Sequence, residues 1–324
     1  MSTSTSIIAW CVVYGVIAFF VCVGNALSVC VFLTNHRLRR LRACVLIINL
    51  SVADLVVGAV TLPMYITYQL AGPLIITVTF RAAFDSVDLI SGFGSIFSLV
   101  VIALERTYSV CLPHRHRATK ATAYVICICL VWSVAVILMA LRLMRNVLSF
   151  NAFFYAMVTC LSTSLVILAV AYLVIWYRIR SNNSTTRQNR QTREHLQERK
   201  LAVTLAIVTG VFTATWLPFH ILNIIFFACG MQCPLVISLQ SVYAIKFLHY
   251  VNSLLNPVIY ALQLPEFRKT IRKLIRGSNM VYPEITSKIT MNSRFQAHQA
   301  AQISESEVGV ANKHQANSIT LVNI

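Results

Sequence analysis

Charged residues are scarce in this chain: they make up 11% of its 324 residues, and only 10 are Asp or Glu. A soluble globular domain carries about 25% charged residues. The chain is instead 57% hydrophobic, with a mean hydropathy of +0.72. This composition excludes a soluble domain and predicts an integral membrane protein. We attribute the net charge of +17 to loops near the anionic inner leaflet of a membrane rather than to nucleic-acid binding.

Sequence patterns of enzymes, transporters and channels are also missing. None of the 10 cysteines lies in a zinc-binding spacing or a redox Cys-x-x-Cys motif. No His/Glu metal cluster or Ser/Asp dyad indicates an intramembrane enzyme, so we predict no catalytic residue and no cofactor. No inverted repeat, broken helix pair or ring of pore-lining charges supports a transporter or channel. Those two classes remain a remote alternative.

Long apolar runs dominate the chain. A bilayer core of about 30 Å requires about 20 apolar residues per helix. Seven such runs, which we number spans one to seven, occur at Ile7–Leu33, Cys44–Leu70, Asp85–Val110, Thr122–Leu141, Phe153–Tyr177, Leu201–Cys229 and Leu235–Leu262. The predicted fold class is an all-α membrane protein, a seven-transmembrane helix bundle over residues 7–262.

The distribution of Lys and Arg predicts the orientation of the bundle. Basic residues cluster after spans one, three and five, and cytoplasmic loops are the ones that retain them. Residues 1–6 are therefore predicted to be extracellular and the C-terminus cytoplasmic. Glycosylation sequons begin at Asn182 and Asn183, but they follow span five on the predicted cytoplasmic side, so we expect no sugar there.

The segments that flank the last span and the last extracellular loop have their own signals. Residues 263–276 alternate apolar and basic residues at helical spacing, which predicts a short amphipathic eighth helix lying on membrane lipids. Residues 277–324 are polar, which is typical of a disordered cytoplasmic tail. Cys229 and Cys233 bracket a short turn on the predicted extracellular side, so we predict a local disulfide.

Polar motifs recur inside the apolar spans. A carboxylate such as Asp54 costs about 2.5–3.5 kcal/mol at the centre of a transmembrane helix, which makes it a functional-site candidate. The motifs are Gly24-Asn25, Leu50-Ser-Val-Ala-Asp54, Ser95 with Glu105-Arg106-Thr107, Trp132, Phe212-x-x-x-Trp216-Leu-Pro218 and Asn252-Ser-Leu-Leu-Asn256-Pro257-x-x-Tyr260. Taken together and in this order, they resemble the rhodopsin-like (class A) G-protein-coupled receptors.

The resemblance implies a multi-pass receptor of the plasma membrane. Such a receptor binds an extracellular small-molecule ligand and activates a heterotrimeric G protein, and arrestin and receptor kinases are further partners of the family. The family also holds an allosteric sodium ion in mid-bundle, here implied at Asp54, Ser95, Asn252 and Asn256. Oxygen ligands suit a hard cation. A sodium-free hydrogen-bond network is the alternative.

The resemblance further implies an activation switch at the cytoplasmic end. Arg106 would bond Glu105 beside it and Glu198 near the start of span six, and release of these bonds would open a cleft. For Glu198, a solvated helix start is the alternative. Prolines within spans six and seven allow those helices to bend. The other switch residues are Tyr172, Phe212, Pro218, Pro257 and Tyr260.

The ligand site resembles that of the aminergic receptors. Asp88 and Tyr250 match the pair that holds the ligand's ammonium group, and aromatic rings add cation–π attraction. We therefore predict a protonated biogenic or trace amine as the ligand. The predicted ligand-binding residues are Asp88, Trp216, Phe219, His220, Lys246 and Tyr250.

Departures from the family pattern leave other ligands open. Lys246 lies one turn above Tyr250 and could satisfy Asp88 internally. Arg81 stands where most of the family has a disulfide-forming cysteine, and Ser164 stands where most have a proline. The missing disulfide, with a short loop after span four, resembles the melanocortin receptors, so a peptide, a lipid or another ligand is the alternative. An opsin is disfavoured, because Lys246 lies one turn from the position of the retinal-binding lysine.

Overall fold

The computed structural model describes residues 3–39, 41, 43–72, 75–144, 150–185, 193–229 and 237–276. All regular structure in these ranges is helical. The chain forms two compact units. The first, Met1–Arg272, contains every predicted span. The second, Lys273–Ile324, is described only to residue 276, one residue after the last helix ends, so the predicted disordered tail lies outside the described residues.

The helices follow the predicted order. Span one is Thr3–Thr34, span two runs from Cys44 to Ala71, span three is Val78–Cys111, span four is Ala121–Leu143, span five is Phe150–Thr185, span six is Arg193–Cys229 and span seven is Leu239–Gln263. Shorter helices are His36–Arg39 after span one, Pro113–Ala118 after span three and Pro265–Ile275 after span seven. We call Pro113–Ala118 the loop helix and Pro265–Ile275 the interfacial helix.

Six of the described helices, spans one to six, are long and apolar enough to cross a bilayer. Span seven falls short of that apolarity because it carries Lys246, His249 and Asn252. Its polar side chains point into the protein rather than towards lipid, since His249 and Asn252 are buried. The predicted fold class, a helical membrane bundle, is confirmed.

Capping side chains fix the start of two helices at residues that differ from the predicted span boundaries. Span three begins at Val78 rather than Asp85, because the Thr77 hydroxyl accepts a hydrogen bond from the Phe80 amide at 3.1 Å and caps the helix. Span seven begins at Leu239 rather than Leu235, because Ser238 caps it in the same way. Hydropathy locates the segment that crosses the membrane, whereas capping side chains fix where a helix begins.

Close helix packing surrounds Asp54 in mid-bundle. Span two contains a π-helical turn at Val57–Thr61. Within it Gly58 lies against span one, where an added Cβ would be 2.9 Å from both Cys22 Sγ and Val21 Cγ1. Gly24 lies similarly close to span seven, where an added Cβ would be 3.1 Å from Pro257 Cγ. These glycines allow spans one, two and seven to meet next to the buried carboxylate.

Candidate functional site

A cavity of about 610 Å³ lies between spans three, five, six and seven. Small-molecule sites typically measure about 300–1,000 Å³. The wall is largely aromatic and aliphatic, with Phe93, Phe153, Phe154, Met157, Leu161, Trp216, Phe219, Leu222, Phe226 and Phe227. The wall also includes Asp88, which lies eighteen residues before Arg106 on the helix of span three. At about 1.5 Å per residue this places the cavity about 27 Å from Arg106 along the helix. We call this space the ligand cavity.

The charged side chains of the ligand cavity form two ion pairs within the described residues. Lys246 Nζ lies 3.3 Å from Asp88 Oδ2, and the hydroxyl of Tyr250 donates to Asp88 Oδ1 at 3.2 Å. Arg142 Nη2 lies 2.7 Å from Asp85 Oδ2. The two acids and two bases balance one another. The structure therefore shows the internal pairing of Asp88 that the sequence left open.

Aromatic rings surround the ammonium group of Lys246. Its Nζ lies 5.2 Å from the ring centroid of Phe219, 5.3 Å from that of Tyr65 and 5.5 Å from that of Tyr250. Such distances allow cation–π attraction. The surroundings of Asp88 thus already hold an ammonium group, which the protein itself supplies.

Trp216 and His249 form the floor of the ligand cavity. Their ring centroids lie 4.4 Å apart in an edge-on arrangement, and His249 stacks on Phe219 at 4.3 Å. Both side chains are buried, and neither Trp216 Nε1 nor His249 Nδ1 has a hydrogen-bond partner among the described protein groups. Buried polar atoms are rarely left unsatisfied. These two nitrogens are therefore unsatisfied polar atoms within the floor of the ligand cavity. No sequence motif singled out His249.

Two of the predicted ligand-binding residues lie outside this wall. Tyr250 lies below it, beside a second cavity of about 10 Å³ whose wall includes both Asp88 and Ser95. His220 faces span five, where its Nε2 lies 3.0 Å from Ser162 Oγ. Neighbouring helix positions differ by about 100°, so the residue after Phe219 cannot share its direction. The structure therefore assigns His220 to the contact between spans five and six.

A second cluster surrounds the fully buried carboxylate of Asp54. Ser95 and Ser253 donate to Oδ1 at 3.0 and 2.8 Å, and Asn256 donates to Oδ2 at 2.7 Å. Asn252, the fourth predicted member, instead accepts from Thr215 at 3.1 Å. Ser253, which sequence reasoning missed, takes its place. The structure thus brings together three of the four predicted residues.

At the opposite end of span three, Glu105 binds two basic side chains. Arg106 Nε lies 2.7 Å from one carboxylate oxygen, and His116 Nε2 lies 2.8 Å from the other. His116 belongs to the loop helix and was not predicted. Glu105, Arg106 and His116 are all buried. Glu198 lies on the span-six helix, but its side chain is outside the described part, so its role stays a prediction.

The remaining switch residues occupy different depths. Phe212 is fully buried and stacks on Trp216, with ring centroids 5.4 Å apart. Tyr260 is also fully buried, and its hydroxyl has no hydrogen-bond partner among the described protein groups. Tyr172, in contrast, is 39% exposed. Pro218 and Pro257 lie within the helices of spans six and seven.

Two further predictions concern disulfide and metal chemistry. Cys233 lies outside the described residues, so the disulfide with Cys229 stays a prediction. Within the described ranges, no three His, Cys, Asp or Glu side chains gather as ligands for a metal ion. Any metal at Asp54 would have to be an ion that one carboxylate and neutral oxygens can hold.

Comparison with known proteins decides the family. The profile of the 7 transmembrane receptor (rhodopsin family) matches residues 24–260. The chain belongs to this rhodopsin family. Adenosine receptor A2a of Homo sapiens is 29% identical over 304 residues, covering 81% of this chain and 70% of the relative. Trace amine-associated receptor 13c of Danio rerio is 29% identical over 261 residues, covering 71% and 75%. Adenosine receptor A2a of Equus caballus is 28% identical over 302 residues, covering 81% and 70%.

Membership of the rhodopsin family confirms several sequence predictions. The chain is a multi-pass membrane receptor and not an enzyme, and its family couples extracellular ligands to G proteins. The relatives are named for chemically different ligands, adenosine and trace amines. The relatives therefore do not decide the ligand class of this rhodopsin-family receptor, which has to be inferred from its own cavity.

Proposed function

We propose that this receptor lies in the plasma membrane with its N-terminus outside, binds a small ligand through a protonated amine, and activates a heterotrimeric G protein. The observation that carries the proposal is the environment of Asp88 in an aromatic cavity. Tyr250 donates a hydrogen bond to its carboxylate, and the ammonium group of Lys246 is already paired with it. The ligand's ammonium would replace Lys246 at Asp88 Oδ2. A relative named for trace amines supports this ligand class.

The route from ligand to G protein runs through the floor of the ligand cavity. A ligand pressing on Trp216 and His249 acts directly on Phe212, which stacks against Trp216. Pro218 follows Trp216 by two residues and permits span six to bend there. In the proposed mechanism this bend opens the opposite end, where Arg106 leaves Glu105 to contact the G protein. Arrestin and receptor kinases would then act on the same open state.

We also assign the Asp54 cluster to a sodium ion that favours the resting bundle. The hydrogen-bond donors to Asp54 in the described residues are all neutral, so its negative charge has no basic partner there. The carboxylate and the hydroxyl oxygens of Ser95 and Ser253 are donor atoms that a hard cation prefers. When bound, sodium would supply the missing positive charge.

The amine proposal is tested by Asp88→Asn, with Glu266→Gln, which also neutralises one paired carboxylate, as the control. Truncating one partner of a buried charge pair typically costs about 2–5 kcal/mol, so agonist potency should fall more than about thirtyfold in Asp88→Asn. Glu266 lies on the interfacial helix, where it pairs with Lys269, so its variant should change potency little. Receptors at matched surface expression would be tested with amines and nucleosides in cAMP and calcium assays. Potency within threefold of wild type in Asp88→Asn would end the amine proposal.

A neutral nucleoside is the second candidate ligand. The Lys246–Asp88 pair leaves no unmatched charge in the described wall, and two of the relatives are named as adenosine receptors. A neutral ligand would leave both ion pairs intact and use Asn223, which also lines the cavity. Activation by adenosine that persists in Asp88→Asn would favour this candidate.

A further inference from the structure

We propose that the ligand carries a carboxylate as well as its ammonium group, so that the receptor recognises an aromatic amino acid or a zwitterion of similar size. This inference rests on the proposed amine function and specifies its ligand. It follows from the charge balance of the cavity, the spacing of its two ion pairs and the aromatic character of its wall.

The charge balance disfavours a simple monoamine. A monoamine at Asp88 would displace Lys246 and leave that ammonium group without its anionic partner, in a site where the lysine side chain is only 17% exposed. A buried charge without a partner is strongly unfavourable. A ligand with its own carboxylate gives Lys246 a new partner when it takes the old one. The two acids and two bases of the described wall then stay balanced.

The spacing of the two ion pairs suits a compact zwitterion. Asp85 and Asp88 are three residues apart on span three, and such residues share a helix face with Cβ atoms about 5–6 Å apart. Their partners, Lys246 and Arg142, line the same cavity. Two acidic and two basic groups therefore line one cavity. An α-amino acid, which bears both charged groups on one carbon, presents the complementary arrangement.

The rest of the wall calls for an aromatic body. Phe154 and Phe227 stack with ring centroids 3.7 Å apart at an angle of 4°, and they face the cavity together with Phe93 and Phe226. At the floor, Trp216 Nε1 and His249 Nδ1 lack hydrogen-bond partners among the described protein groups. A phenol or indole would bury its ring against the phenylalanines. A phenol hydroxyl at the floor can accept from Trp216 Nε1 or bond His249 Nδ1, whereas an indole N–H can donate only to His249 Nδ1, because Trp216 Nε1 is itself a donor.

The test uses ligand pairs that differ by a single carboxylate: phenylalanine and phenethylamine, tyrosine and tyramine, tryptophan and tryptamine. At the wild-type receptor, the amino acid of the active pair should be at least tenfold more potent than its amine. In Lys246→Met, which keeps the side-chain length but removes the charge, this preference should reverse. The amine should gain at least tenfold relative to the amino acid, because Asp88 is then vacant and the carboxylate has lost its partner.

Lys269→Met is the matched control. Lys269 lies on the interfacial helix, where it is 60% exposed and pairs with Glu266 at 3.2 Å, far from the ligand cavity in the chain. Its substitution removes the same charge and should leave the ligand preference unchanged. If Lys246→Met does not reach the cell surface, thermal stabilisation of purified wild-type receptor by each member of a pair gives the same comparison. The amino acid should then stabilise the protein more than its amine.

The outcomes separate this inference from the proposed function. If the amine equals or exceeds its amino acid at wild type and depends on Asp88, the zwitterion inference fails and the amine function stands. If only nucleosides activate the receptor, and Asp88→Asn leaves them active, both fail. Reversal of preference in Lys246→Met but not in Lys269→Met supports both.

Discussion

Three carboxylates inside this receptor differ in what neutralises them. Asp88 is paired with Lys246, and Glu105 is paired with Arg106 and contacts His116. Asp54 accepts hydrogen bonds from neutral donors only, among the described residues. A permanent protein cation thus serves the first two sites. The third has no such cation among the described residues, and in our proposal a sodium ion takes this role, so that the ionic medium influences the receptor through Asp54.

Sodium should therefore lower agonist affinity through Asp54. Linkage requires that an ion that prefers the resting bundle weakens agonist binding by the same factor by which agonist weakens ion binding. Replacing potassium by sodium at constant ionic strength should reduce agonist affinity several-fold at wild type, and Asp54→Asn should abolish the difference. Radioligand competition in the two salts measures it. A wild-type affinity that is the same in both salts would remove the ion from the mechanism.

Motif spacing predicts such clusters only partly. The motifs correctly predicted that Asp54, Ser95 and Asn256 meet and that Tyr250 contacts Asp88. These residues lie whole turns apart on helices whose inward faces also carry other polar groups. Motif spacing chose Asn252 where Ser253 binds Asp54. One residue along a helix turns the side chain by about 100°. The exact rotation of span seven depends on tertiary packing, such as that of Pro257 against Gly24.

At the scale of helices, span three connects the three functional regions. Asp88, Ser95 and Arg106 lie on one continuous helix, Val78–Cys111. The loop helix then folds back so that His116 reaches Glu105. The sequence predicted that Asp88, Ser95 and Arg106 share span three, but not that His116 contacts Glu105. The hydropathy of the loop helix does not determine where that helix lies relative to span three. The π-helical turn of span two escaped prediction for the same reason.

Neutralising Glu105 should raise basal signalling. Glu105→Gln keeps the size of the side chain but removes the charge that holds Arg106 and His116. Hydrogen bonds to charged groups contribute about 1.5–3 kcal/mol, and about 1.4 kcal/mol is a tenfold change in a two-state ratio. Because only the closed arrangement would lose this contact, ligand-independent cAMP or calcium signalling should rise several-fold at matched surface expression.

Glu266→Gln is the control for this prediction. Glu266 lies on the interfacial helix and pairs at 3.5 Å with Arg37, which belongs to the short helix after span one. The Arg37 side chain is 63% exposed, and exposed ion pairs contribute little to stability. Basal signalling in this variant should match wild type. An unchanged basal level in Glu105→Gln would show that Arg106 is not restrained through Glu105.

At the scale of the whole molecule, composition predicted most of the architecture. Apolar runs located all seven helices, since the length of a membrane span is set by the bilayer. Their packing was less predictable, because the hydropathy of a span does not show which face of the helix is turned towards the bundle and which towards lipid. The ion pair between Arg142 and Asp85, for example, was not predicted by any motif. It joins spans three and four at the end of the bundle where the sequence lacks the family's cysteine.

The asymmetry of basic residues predicts one orientation for the bundle, and the chain carries its own reporter for it. The sequons at Asn182 and Asn183 follow the apolar part of span five, on the side predicted to be cytoplasmic. Since N-glycosylation is restricted to the secretory lumen, glycosidase treatment should leave the mass of the receptor unchanged. An epitope tag before Met1 should be stained on intact cells, whereas a tag after Ile324 should require permeabilisation. A glycosidase-sensitive mass that disappears in the double variant Asn182→Gln and Asn183→Gln would invert the orientation, and with it the assignment of the ligand cavity to the outside and of Arg106 to the G protein.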